Sequence, residues 1–164
     1  MIPGEDACCI LLYGDIGEYS DVTAAAIVRE LMEAEASGKR IDVRINSNGG
    51  DVYTGIAIFN ALRGSKADIH IYVDGIAASM ASVIALCGKP VEMSKYARLM
   101  LHSVSGGCYG NKTELRRCLE EVEALENTLC EMYAPKLGTS VEDIRARYFD
   151  DADHWLKADE ALAL

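Results

Sequence analysis

Long apolar runs are missing from this 164-residue chain. A membrane-spanning helix needs about 20 consecutive apolar residues. Charged residues, 26% of the total, interrupt every apolar stretch well before that. Positive charge is scarce as well. Lys and Arg number 16 against 26 Asp and Glu, a formal net charge of −10. With no basic stripe, such a chain is a poor partner for nucleic acid or an anionic membrane. No Cys-x-x-Cys pair occurs among the six cysteines, so a structural zinc site is not expected. Met1–Asp6 carries neither a basic n-region nor a leader-length apolar core, and no signal peptide is expected. The chain is therefore expected to be cytoplasmic, with its cysteines reduced and serving as small hydrophobes. A P-loop, a His-Glu-x-x-His helix, an EF-hand loop and a Gly-x-Ser-x-Gly elbow are all absent.

What is present is an alternation of strand-like and helix-like segments in one domain's length of chain, 1–164. Ala7–Tyr13 reads as a buried strand closed by Gly14. Ser20 opens a helix whose Ala24, Ile27, Val28 and Leu31 share a face, ending at Ser37-Gly38. Ile41–Ile45 alternates as a strand and runs into Asn46-Ser47-Asn48-Gly49-Gly50, followed by a helix over Val52–Leu62. Asp68–Val73 is the next strand, and the small residues Ala77–Ala85 predict a third helix. A βαβαβα order implies a mainly parallel sheet with right-handed crossovers. Further strands are expected at Val91–Met93 and Arg98–His102. Beyond them Asn111 and Glu114 resemble a capping box. Leu115, Leu119, Val122, Leu125, Leu129 and Met132 then recur at helical spacing until Pro135. That helix of about 20 residues, about 30 Å long, exceeds what so small a sheet can cover, so part of its apolar seam is expected to meet another subunit; the alternative is a long surface helix packed on its own domain.

Two small-residue turns are placed for chemistry. Asn46–Gly50 and Gly75–Ser82 both leave adjacent strands and enter helices, and sites in open α/β sheets form outside the carboxyl ends of strands. A serine at such a turn, Ser79, sits beside backbone N–H groups able to stabilise an oxyanion; read blandly, it only caps the helix. A serine nucleophile needs a base, and the chain has three histidines. His70 lies mid-strand and His154 in an acidic segment, whereas His102 ends a strand just before a Gly-Gly turn. Taken alone, a histidine at a strand end is more often a structural hydrogen-bonder than a base. Asp150, Asp151 and Asp153 could each orient a base, or simply be a solvated loop.

Four segments together resemble the ClpP-type serine peptidases: Ile45-Asn46-Ser47-Asn48-Gly49-Gly50, Gly75–Ser82, Met100-Leu101-His102 with Gly106-Gly107, and Asp153–Ala161. The look is nearest to the phage and prophage head maturation proteases of that family. The resemblance implies an α/β fold of ClpP/crotonase-like repeated βαβ units with a protruding handle helix, about 111–134. It implies Ser79 as nucleophile, His102 as general base and Asp153 as the residue orienting it, with the Gly50 and Met80 amides as oxyanion hole. No cofactor or metal is implied. A homo-oligomeric ring is, commonly heptameric and stacked in pairs, acting on protein and peptide substrates without nucleic acid or membrane. Asn48 stands where housekeeping members carry proline, and Ser103-Val104 replaces Gln-Pro after the histidine. The short N-terminus leaves little room for the axial loops that dock an ATPase, and the chain stops at Leu164 where the family continues. The expected function is thus a prophage-type endopeptidase processing capsid or scaffold proteins. A housekeeping subunit fed by an unfoldase ATPase, a crotonase-type acyl-CoA enzyme and a decayed structural ring are the alternatives.

Overall fold

The computed structural model describes residues 7–163; the expectations for Met1–Asp6 and the end at Leu164 fall outside them. The elements are β1 (Ala7–Tyr13), α1 (Ala24–Ser37), β2 (Arg40–Ser47), α2 (Val52–Gly64), β3 (Ile69–Ala78) and α3 (Met80–Ala85). They continue with β4 (Val91–Met93), β5 (Arg98–Leu101), α4 (Lys112–Leu137), α5 (Val141–Tyr148), β6 (His154–Lys157) and α6 (Ala158–Leu162). The chain divides into two compact units. One holds the residues up to Met100 together with those from Trp155 onward, the other Leu101–His154.

In the first unit the sheet order is β1-β2-β3-β5-β6, with β4 also on β3. The β1–β2, β2–β3, β3–β4 and β3–β5 pairs are parallel. Register aligns the apolar positions of neighbouring strands: Ile10 opposes Val43 and Val43 opposes Ile71, while Leu12 opposes Ile45 and Ile45 opposes Val73. All six are buried, each contributing about 1.5–3 kcal/mol relative to exposure. Because strand side chains alternate between faces, the intervening residues form a polar face. There Arg44 pairs with Asp74, which also accepts the Tyr13 hydroxyl at 2.7 Å. Arg40 grips the buried Asp42 through both carboxylate oxygens, at 2.9 and 3.1 Å. This alternating α/β arrangement, with the long α4 in the second unit, is the one the sequence predicts.

Several boundaries differ from expectation. α1 begins at Ala24, capped by Thr23, whose hydroxyl accepts from the Ala26 N–H at 3.1 Å. Ser20 cannot start it, because Val22 is tied back to Asp15 and Gly17 by backbone hydrogen bonds. β3 runs on to Ala78 since β5 offers a second partner for Ile76–Ala78, which shortens α3 to Met80–Ala85. α4 passes through Pro135 and ends at Leu137, with Gly138 left-handed at φ 62°. A proline so near the C-terminus removes one backbone bond and leaves the last turn standing. Cys9 and Cys108, expected with the other cysteines to serve as small hydrophobes, are exposed.

In the second unit, α4 and α5 pack together, burying Leu129, Cys130 and Tyr133 of α4 and Ile144 and Tyr148 of α5. The capping box at Asn111 is formed: its side chain accepts from the Thr113 and Glu114 amides, and Glu114 accepts from the Asn111 N–H at 2.7 Å. No helix among the described residues is long and apolar enough to cross a membrane.

Candidate active site

Ser79 alone makes the turn between β3 and α3, with φ 52° and ψ −126°. That is the conformation of the first central residue of a type II′ turn, ordinarily glycine's, and a serine held there stores on the order of 1–3 kcal/mol. The surroundings fix it from both sides. Its N–H donates to Met100 O at 2.9 Å, and its carbonyl accepts from the Ser82 N–H at 2.9 Å and from the Ser82 hydroxyl at 2.6 Å. Its side chain makes no capping hydrogen bond to α3, so the bland reading of Ser79 as a helix cap fails.

The Gly49-Gly50 turn is pressed against this serine. Gly49 has φ 97°, and a Cβ on it would lie 2.8 Å from Ser79 Cβ and 2.9 Å from Met80 N. Gly50 has φ 144°, and a Cβ there would fall 2.1 Å from Ile16 O. The Ile16 N–H donates to Gly49 O at 2.9 Å and the Asp51 N–H to Ile16 O at 2.8 Å, bracketing Gly50 in a parallel bridge. In such a bridge the Gly50 N–H points away from Ile16. Met80 is the first residue of α3, so its N–H is one of the donors a helix start leaves unsatisfied. The turn's own Ser47 hydroxyl holds the Gly49 N–H at 3.1 Å. A cleft of about 840 Å³ opens beside this turn, lined by Ile16–Ser20, Asp51 and Tyr53, but Ser79 and Met80 do not line it.

The second unit places the histidine. His102 follows β5, and its Nδ1 stands 3.7 Å from Asp153 Oδ1, with the two side chains 25% and 59% exposed. That is ion-pair distance, longer than a hydrogen bond. The other two aspartates of this loop make different contacts. Asp150 accepts from His154 Nε2 at 2.7 Å. That bond, helped by the Ala152 N–H, holds its carboxyl below the usual carboxylate range. Asp151 turns its backbone to φ 67° and donates its N–H to the Ser103 hydroxyl at 3.0 Å. Of the three, Asp153 is the one paired with His102. His70 instead lies mid-strand, 3.3 Å from Asp68.

Ser79, Gly50 and Met80 thus share the first unit, and His102 and Asp153 the second. Met100, whose carbonyl holds the Ser79 N–H, precedes His102 by two positions in the chain. Sequence reasoning missed Gly49 as the residue that abuts the serine, and missed the Ser82 and Ser103 hydroxyls that lock the two turns. The doubled glycine was the available signal for the first; isolated serines carry none. Among the described residues no group of three or more His, Cys, Asp or Glu could hold a metal ion.

A family model described as Clp protease matches residues 7–164. This chain belongs to the Clp protease family. Its members are serine peptidases. Two similar relatives are the ATP-dependent Clp protease proteolytic subunits of two strains of Bacteroides fragilis. Each is 32% identical over 148 residues, covering 88% of this chain. The chain spans 70% of the length of one and 66% of the other.

Proposed function

We propose that this chain is a subunit of an oligomeric serine endopeptidase that cleaves peptide bonds with Ser79, His102 and Asp153. The observation that carries the reading is the backbone of Ser79, held at φ 52° in a conformation that serine reaches only against strain. Strain of this kind persists where the surrounding structure over-determines it, and it clusters at functional positions. In the reaction, His102 accepts the hydroxyl proton as Ser79 Oγ attacks the carbonyl carbon. The oxyanion that forms takes hydrogen bonds from the Gly50 and Met80 N–H groups. His102 returns the proton to the leaving amine, an acyl-enzyme remains, and water hydrolyses it by the same route. Asp153 holds the imidazole tautomer and faces the positive charge that develops on it. Each oxyanion donor supplies about 10²–10³ in rate.

The assembly we favour is a closed ring of copies of this chain. Leu115 and Leu119 on α4 are 48% and 59% exposed, an apolar seam suited to another subunit. For the natural role we favour a prophage-type protease acting on capsid or scaffold proteins, since Asn48 and Ser103-Val104 depart from the housekeeping pattern at loops flanking the site. A second reading, a proteolytic subunit fed by an unfoldase ATPase, is favoured by what the two relatives are named for.

The test is intact-mass labelling with a fluorophosphonate, wild type beside Ser79→Ala, with native mass of the assembly. One label per chain, absent from the variant, together with peptide hydrolysis reduced about a million-fold, is the expected result. Peptide hydrolysis undiminished in Ser79→Ala sinks the proposal. Adding a Clp unfoldase with ATP separates the two roles: accelerated protein degradation selects the second.

A further inference from the structure

The segment between His102 and α4 is laid along the helix in a regular register. The Val104 N–H donates to Glu126 Oε1 at 3.1 Å. Two residues on, a Cβ on Gly106 would stand 4.0 Å from Val122 Cγ2. After two more comes Cys108, whose pKa is raised by the neighbouring Cys118 thiol. Each step of two residues along the segment thus meets a step of four along the helix. The match is physical: two extended residues advance about 6.6 Å, and four helical residues about 6 Å. Glu126, Val122 and Cys118 form one i, i+4, i+8 ridge of α4, and the segment descends it antiparallel, which brings Cys108 opposite Cys118.

We propose that Cys108 and Cys118 are a thiol–disulfide site, and that their oxidation clamps the segment following His102 onto α4. The oxidant is a low-molecular-weight disulfide. The exposed Cys108 attacks it as thiolate, forming a mixed disulfide and expelling one thiolate. Cys118 then attacks the Cys108 sulfur and expels the second. One S–S bond forms in the protein and one breaks in the oxidant, which takes up both electrons and leaves with both protons as two thiols. The other cysteines do not compete. Cys87 and Cys130 are buried, and Cys8 and Cys9 are neighbours on β1 whose side chains point to opposite faces. The proposal is independent of the peptidase reading and is read without any activity assay.

The full chain is incubated with oxidised glutathione, blocked with an alkylating agent and mapped by non-reducing peptide mass spectrometry. The expected product is a Cys108–Cys118 linked peptide lighter by two hydrogens, lost on reduction. Cys118→Ser should instead carry a stable glutathione adduct on Cys108. A wild-type chain with that adduct but no internal bond, a linkage to another chain, or two alkylated thiols overturns the proposal. Brief chymotrypsin treatment tests the clamp at the fully exposed Tyr109. Cutting there should slow on oxidation of wild type and not of Cys118→Ser; equal cutting of oxidised and reduced wild type overturns it.

Discussion

The two units differ in how much of each element is buried. In the sheet unit, β1, β2 and β3 each present an unbroken apolar face, and α3 is buried along its whole length. In the helical unit, α4 has 26 residues and buries only Leu129, Cys130 and Tyr133. The proposed machinery is split along the same division. The strained serine and its amides sit where dense packing can enforce an unfavourable backbone. The histidine and aspartate sit where side chains are half exposed and the pair is held at 3.7 Å. Close packing supplies rigidity because core side chains have few alternative arrangements. A proton-transfer residue tolerates more freedom, and its hydrogen bonds commonly tighten only when substrate is bound.

That contrast can be broken most sharply through catalysis. If Ser79 and His102 form the proposed nucleophile–base pair, His102→Ala should lower peptide hydrolysis about as far as Ser79→Ala does, whereas Asp153→Asn should cost roughly 10⁴. Steady-state kinetics on a fluorogenic peptide decide it; equal hydrolysis by wild type and Asp153→Asn would show that the aspartate has no part in orienting His102. On stability the two units should separate just as clearly. Ile71→Ala, in the middle of the core, should lose about 2–5 kcal/mol, and Leu119→Ala on α4 no more than about 0.5 kcal/mol in the dissociated subunit. Urea titration of both variants checks this. A large loss from Leu119→Ala that appears only at assembling concentrations would locate its partner on another copy.

Smaller effects sharpen the picture of the helical unit. The Tyr148 hydroxyl is buried with no hydrogen-bond partner among the described residues. Tyr148→Phe should therefore be neutral or stabilising by up to about 1 kcal/mol, seen as an unchanged or raised thermal midpoint. Smallest is the pH response of Asp150. Its folded-state pKa is lowered, first by the His154 hydrogen bond, so its contribution is present above the ordinary aspartate value. It fades as the pH falls through the lowered folded value. Urea midpoints of wild type and Asp150→Asn should differ at neutral pH and converge as the pH falls below the ordinary aspartate value; a constant gap would show that the bond does not act through charge.

Much of this was legible in the chain. β1 and β4 have the predicted ends because their apolar runs are bounded by turn residues, and the α4 start was announced by Asn111 and Glu114. Legibility failed where an element's end depends on a distant partner. Nothing local says that β3 continues to Ala78, because the residue that extends it is Met100 on another strand. The same holds for the loop aspartates: Asp150, Asp151 and Asp153 are equivalent as sequence, and only their neighbours separate them.

The sequence by itself determined the alternating α/β order, the apolar face of each strand and the long amphipathic helix, since periodicity and capping are local properties. Its motifs also determined the family and nominated Ser79, His102 and Asp153. Only the tertiary structure decided that Ser79 adopts a glycine-like backbone, that Gly49 and Gly50 have no room for a Cβ, and that Asp153 faces His102. It also decided that the segment after His102 lies along α4. Each of those facts is fixed by packing and hydrogen bonding across elements rather than by any pattern along one of them.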